Sequence, residues 1–113
     1  MPIRVDSVET LKRYFSGVVE RANHHAPNVS DIIYKLLGII IIKMDDSTSI
    51  EVRRGAEVDA TGNILWVISN GTRYAFRYEH GDGTIEIRQG SNSGPLLLKI
   101  DNSTPTATIM TAF

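Results

Sequence analysis

Three His residues, a Gly-flanked Asp and scattered carboxylates are the groups in this chain that could move protons or hold a metal. His24 and His25 are adjacent in an apolar-periodic stretch, which sets them about 100° apart around a helix axis, unlike an i, i+4 metal pair. Cations near a helix C-terminus fit them better, because the axial dipole favours positive charge there. His80 and Asp82 flank Gly81 beside Tyr78 and Glu79. That spacing could supply a base and its orienting carboxylate, although a satisfied turn uses the same residues. Asp45-Asp46-Ser47-Thr48-Ser49 is dense in oxygen but lacks the alternating ligands, central Gly and closing Glu of a calcium loop, so an ordinary turn is expected. Gly81-Asp82-Gly83 has neither the following helix nor the Lys of a phosphate loop. Glu20, Glu51, Glu57, Asp59 and Glu79 could act as acid and base only if the fold brings two of them together. No catalytic set, metal site or cofactor is assigned, and a non-enzymatic role is favoured.

The elements that position these residues follow from periodicity. Asp6 and Glu9 form a capping-box variant ahead of Val8, Leu11, Phe15, Val18 and Ala22, which recur at helical spacing and predict a helix over residues 7–25. Pro27 and Asn28 open a second, short helix over 28–37, with Gly38 as its C-terminal cap. From Ile39 the period changes to two and the punctuation becomes Gly, Asn, Asp and Ser, the pattern of an antiparallel meander over about 39–112. Residues 39–44 and 49–54 are expected to form a first hairpin with Lys43 opposite Glu51, grouping Ile40, Ile42, Met44, Ile50 and Val52. The segment 55–63 is a connection, 64–69 a strand, 96–101 a further strand and 106–112 a last one. The fold class expected is a single α+β domain over 1–113, with two N-terminal helices on one face of a curved sheet of five to six strands.

Asn70-Gly71 supplies the two positive φ angles of a type I′ turn and pairs Ser69 with Thr72. Counting outward sets Val67 opposite Tyr74, Leu65 opposite Phe76, and Asn63 opposite Tyr78 on one face. The other face receives Trp66 with Ala75, Ile68 with Arg73, and Ile64 with Arg77. At the next turn a two-residue Asp82-Gly83 loop would oppose Arg77 to Arg88 and Glu79 to Glu86, like against like. A Gly81-Asp82 or four-residue loop instead opposes Arg77 to Glu86 and Glu79 to Thr84, and is preferred. The face bearing Leu65, Val67, Tyr74, Phe76, Tyr78, Ile85 and Ile87 should carry the helices.

The opposite face then presents Ile64, Trp66 and Ile68 beside Arg73, Arg77 and Arg88, a patch that a monomer leaves in water. It could be covered within the fold, form a homo-oligomer interface, or receive a flat, cationic or anionic ligand. A pocket between sheet and helices, lined by Tyr74, Tyr78 and Trp66 and opening near His80, is the alternative site.

Composition narrows the partners. With twelve Lys or Arg against thirteen Asp or Glu, net charge −1 and no charged tail, the chain has no field to gather nucleic acid or anionic lipid. The absence of Cys removes disulfide, thiolate-metal and cysteine-nucleophile chemistry. The longest apolar run, Leu36 to Ile42, is too short to span a bilayer, and no secretory pattern begins the sequence, so a cytoplasmic location is expected. Asn28-Val29-Ser30, Asn70-Gly71-Thr72 and Asn102-Ser103-Thr104 match the glycosylation pattern but read as turn and capping chemistry.

Two N-terminal helices followed by Thr72-Arg73-Tyr74-Ala75-Phe76-Arg77-Tyr78-Glu79-His80-Gly81-Asp82-Gly83 and a plain meander resemble the small proteins carried on mobile integron gene cassettes. The resemblance implies a compact bacterial cytoplasmic protein, often oligomeric, and transfers no catalytic residue. Three roles remain open: a self-associating domain that binds a protein partner or small ligand, a small enzyme or ligand-binding protein, and an inhibitor or immunity protein offering residues 106–113 as an edge strand.

Overall fold

The computed structural model describes residues 3–5, 7–52, 64–79, 81–91 and 93–113, with the side chains of 3–5, 21, 22, 24 and 25 outside that description. Asp6, His80 and the whole 55–63 connection, with Glu57, Asp59 and Asn63, therefore lie outside the described residues.

Helix α1 spans Val8–His25. Ser7 does the capping among the described residues: its Oγ accepts from the Thr10 amide at 3.1 Å. The buried stripe is rotated slightly from the expected one. Tyr14 is 1% exposed and Leu11, Phe15, Val18 and Val19 pack on the core, whereas Val8 stands 81% exposed.

The second helix differs from expectation. Pro27–Val29 forms one 3-10 turn, and α2 then runs Ile32–Lys43, so residues 39–44 are helix and not strand. Ile32, Leu36, Ile39 and Ile40 recur at i, i+4, i+7 and i+8 and are all buried, and that continuous face outweighs the small helical cost of β-branched side chains. Gly38 is an exposed mid-helix residue with open space where a Cβ would be. Lys43 does not face Glu51: its Nζ donates to Met110 O and lies 4.8 Å over the Phe113 ring. Ile42, expected beside Ile40 and Met44, is left 78% exposed.

Among the described residues, six antiparallel strands follow chain order: β1 Ile3–Val5, β2 Ile50–Val52, β3 Ile64–Ser69, β4 Thr72–Glu79, β5 Thr84–Gln89 and β6 Leu96–Ile100. β1, not anticipated from sequence, pairs with β2 on the side away from β3. Both turn-based registers are found as expected. Ser69↔Thr72, Trp66↔Ala75 and Ile64↔Arg77 pair across the first hairpin, and Arg77↔Glu86 and Glu79↔Thr84 across the second. Asn70 and Gly71 adopt φ of 52° and 78°, the left-handed pair that a type I′ turn needs.

Thr106–Ala112 is helix α3, not a strand, so no edge strand exists there. Three Thr residues bias this segment toward extended structure, but only a helix starting after Pro105 brings both Ile109 and Phe113 inward, four residues apart. One apolar core collects Tyr14, the buried face of α2, Ile109, Phe113 and the inward residues of β2 to β6. The architecture is α+β, with two N-terminal helices on one face of an antiparallel meander and a third helix after it.

Candidate functional site

The residues that alternation turns away from the helices meet on the outer face of the sheet. Two cross-strand rows organise it: Glu51, Trp66, Ala75 and Arg88 in one, and Ile64, Arg77, Glu86 and Lys99 in the other. Trp66, opposite the small Ala75, is half-buried, and Ala75 beside it is 1% exposed. The Arg73 guanidinium lies 5.1 Å above the indole and donates to Glu51 at 3.2 Å. A cation held both by a π-face and by a carboxylate is worth more than either contact alone, since each reduces the entropy cost of the other. Among the described residues the buried Arg73 Nε has no hydrogen-bond partner, which is the cost of that stacked position.

The second row is ionic. Glu86 is 4% exposed, and its carboxylate accepts from Arg88 Nε at 3.0 Å, with Arg77 at 3.9 Å and Lys99 at 4.0 Å. Arg77 also holds Glu79, Lys99 holds Asp82 at 2.6 Å, and Arg88 donates to Gly94 O at 2.9 Å. The hydrogen bond from Arg88 holds the Glu86 carboxyl below its ordinary range despite burial, aided by the charges of Arg88, Arg77 and Lys99. Asp82 is likewise held low, first by Lys99 and then by Thr84, and Lys99 is held high by Asp82. Glu86 and Asp82 are thus each favoured in the charged form, as is Lys99, and this part of the face presents paired, opposite charge.

A Cβ on Gly94 would lie 1.9 Å from the Gln89 carbonyl oxygen. Gly94→Ala should therefore push residue 94 away from Gln89, shift its own carbonyl, which accepts from Arg88, and cost about 1–3 kcal/mol as an overpacked site. Urea unfolding of the variant checks this, and an unchanged midpoint would refute it.

The other expected site residues are dispersed. Ile64, 1% exposed, is covered within the fold, whereas Ile68 remains half-buried. Tyr74 packs 5.7 Å from Phe113, on the face opposite Trp66. Tyr78 does line a cavity of about 80 Å³ between α1, α2 and the sheet, together with Tyr14, Leu36, Phe76 and Ile85. That volume admits a few heavy atoms and falls well short of the ~300 Å³ typical of drug-sized ligand sites. Among the described residues, no group of three His, Asp or Glu side chains is placed to hold a metal ion, and no helix is long and apolar enough to cross a membrane.

Two polar residues that the sequence marks only as turn and capping chemistry have partners far away in the chain. Asp45 accepts from the Asn70 and Gly71 amides at 2.6 and 2.8 Å, tying the segment after α2 to the β3–β4 turn. Asn102 Oδ1 accepts from the Asp31 and Ile32 amides, both at 2.9 Å, and so caps α2 from seventy residues away in the chain. The Asn-Gly dipeptide flagged the turn itself, but nothing local identifies its carboxylate partner.

A search of curated proteins finds no match to this chain. A family model described as "Integron cassette protein VCH_CASS1 chain" matches residues 11–110, from the first turn of α1 into α3 and across every strand from β2 to β6. With so much of the chain matched, the protein belongs to that family of integron cassette proteins.

Proposed function

We propose that this protein is a non-enzymatic domain of the bacterial cytoplasm that associates with copies of itself through the outer face of its sheet, and so presents a surface for a protein partner or small ligand. The observation that carries this reading is the half-exposed Trp66, stacked by Arg73 and flanked by the half-buried Ile68, inside a frame of already paired charges. Trp and Arg concentrate the energy of protein interfaces, and charges neutralised in advance cost less to desolvate than lone ones. The same pairing speaks against nucleic acid, because Arg73, Arg77, Arg88 and Lys99 are matched by Glu51, Glu79, Glu86 and Asp82 on that face. No cofactor is required for this role.

Light scattering on the intact protein and on Trp66→Ala and Ile68→Glu variants tests it. The expected result is an assembly whose mass falls to the next smaller species in both variants with native far-UV circular dichroism. Unchanged mass in both variants would remove the proposal.

A second reading draws on the cavity lined by Tyr78: a small enzyme or ligand-binding protein with its site between sheet and helices, to which His80, two residues further along the sequence and outside the described residues, is the candidate addition. Ligand screening by fluorescence, repeated with Tyr78→Phe and His80→Ala, separates the two, since this reading requires those variants to alter binding.

A further inference from the structure

The helical side of the molecule carries a groove whose chemistry is complementary to itself. One wall is a stripe of α1 at spacings of three and four residues, in which Lys12, Phe15, Ser16, Val19 and Glu20 all face the groove; the other wall is formed by α2 around Tyr34. Phe15 and Val19 are half-buried and Tyr34 is 59% exposed, so the groove holds apolar and aromatic surface in water.

Its charges are ordered. Lys12 and Glu20 are exposed, eight residues apart, and so separated by about 12 Å along the helix. Among the described residues neither forms an ion pair within the chain, whereas the neighbouring Glu9 and Arg13 pair with each other at 3.6 Å. Midway between them stands Ser16, a small side chain whose Oγ donates back to Lys12 O at 2.7 Å, leaving no unsatisfied hydroxyl at the centre.

We infer that this groove is a second interface, occupied by the same groove of another copy. A two-fold axis through Ser16, perpendicular to α1, sets two α1 helices antiparallel. Lys12 then meets Glu20 of the partner subunit, and Glu20 meets Lys12 of the partner subunit, while Phe15, Val19 and Tyr34 are covered between them. A parallel arrangement would oppose Lys12 to Lys12 and Glu20 to Glu20, which selects the antiparallel one. Small residues at the crossing, Ser16 with Gly17 beside it, allow the helix axes to approach to the ~8–10 Å of packed helices. An anionic membrane or nucleic acid would find one positive and one negative end, and no net attraction. This contact goes beyond the sheet-face association and does not require it. If both form, the two isologous interfaces give a closed dihedral tetramer where their two-fold axes cross at right angles and an open chain where they do not.

The test is a charge-reversal cycle read by sedimentation equilibrium at low ionic strength, over a range of protein concentrations. Lys12→Glu and Glu20→Lys should each weaken self-association about tenfold or more, because each change turns both symmetric pairs repulsive. The Lys12→Glu/Glu20→Lys double variant should recover to within about threefold of the intact protein, since the swapped charges again meet their opposites. Both side chains are exposed, and far-UV circular dichroism verifies the fold of each variant. An intact protein that stays monomeric, single variants that associate normally, or a folded double variant as weak as the singles would each overturn the inference. Repeating the cycle on Trp66→Ala separates the surfaces: loss of the sheet-face contact leaves the charge-reversal pattern intact, whereas loss of the groove contact abolishes it without altering the effect of Trp66→Ala.

Discussion

Glu86→Gln should lower the stability of the protein by about 2–3 kcal/mol, the largest effect expected of any single isosteric change on the outer face of the sheet. The carboxylate is 4% exposed and faces Arg88 at 3.0 Å, Arg77 at 3.9 Å and Lys99 at 4.0 Å. Removing its charge leaves three cations gathered around a neutral amide. Breaking a fully buried pair costs about 3–5 kcal/mol, but these cations are partly exposed and solvent screens them, which places the expectation below that range. Urea unfolding at neutral pH gives the value. A loss under about 0.5 kcal/mol would mean that the network behaves as ordinary surface charge.

The same group sets a pH dependence with a definite sign. Glu86 in the folded protein lies below its ordinary value of 4.5, so its contribution is complete above that value and is lost as pH falls through the lower folded value. Asp82 and Asp101 are shifted in the same direction, Asp82 chiefly by Lys99 and Asp101 by Ser103. Stability should therefore hold steady from neutral pH down to about 5 and decline below about 4.5. The gap between the parent protein and Glu86→Gln should narrow over that acid interval. A gap that stayed constant would assign the loss to packing and not to charge.

Asn102→Ala carries the second large expectation, a loss of about 2 kcal/mol focused on one end of α2. Its Oδ1 satisfies the Asp31 and Ile32 amides at 2.9 Å each, its Nδ2 donates to Pro27 O at 2.9 Å, and its own amide donates to Asn28 O at 2.7 Å. The first three bonds vanish in the variant and the last survives, so the β6–α3 connection stays near the 3-10 turn while α2 loses its cap. Hydrogen exchange should show the amides of Asp31 and Ile32 losing protection before those in the middle of α2. Asn102→Asp should fall between the two, because it keeps the acceptor but sets an oxygen against the Pro27 carbonyl. Equal protection in parent and Asn102→Ala would show that solvent replaces the cap without cost.

What could be read from the chain alone was whatever neighbouring residues decide. The β3–β4 and β4–β5 registers follow from Asn70-Gly71 and from the like-charge penalty at Arg77 and Glu86, because turn stereochemistry and cross-strand charge act over a few residues. The outward row of Trp66, Ala75 and Arg88, and the job of Asn28, Asn70 and Asn102 in turns and caps, were legible for the same reason. Other features depended on what lies far away in sequence. A continuous apolar run such as Leu36 to Ile42 suits a buried strand or a helix equally, and only its packing against the sheet makes it α2. Thr106–Ala112 reads as strand from composition, yet Ile109 and Phe113 gain a place in the core only as a helix. Asp45 and Asn102 read as turn and capping residues, but the amides they receive, 25 and 71 residues away, are chosen only by the fold. The burial of Glu86 among three cations and the alignment of Lys12, Ser16 and Glu20 along an open groove likewise arise from how strands and helices stack. Local stereochemistry and alternation are properties of the chain, whereas burial and the partners it selects exist only once the layers have met.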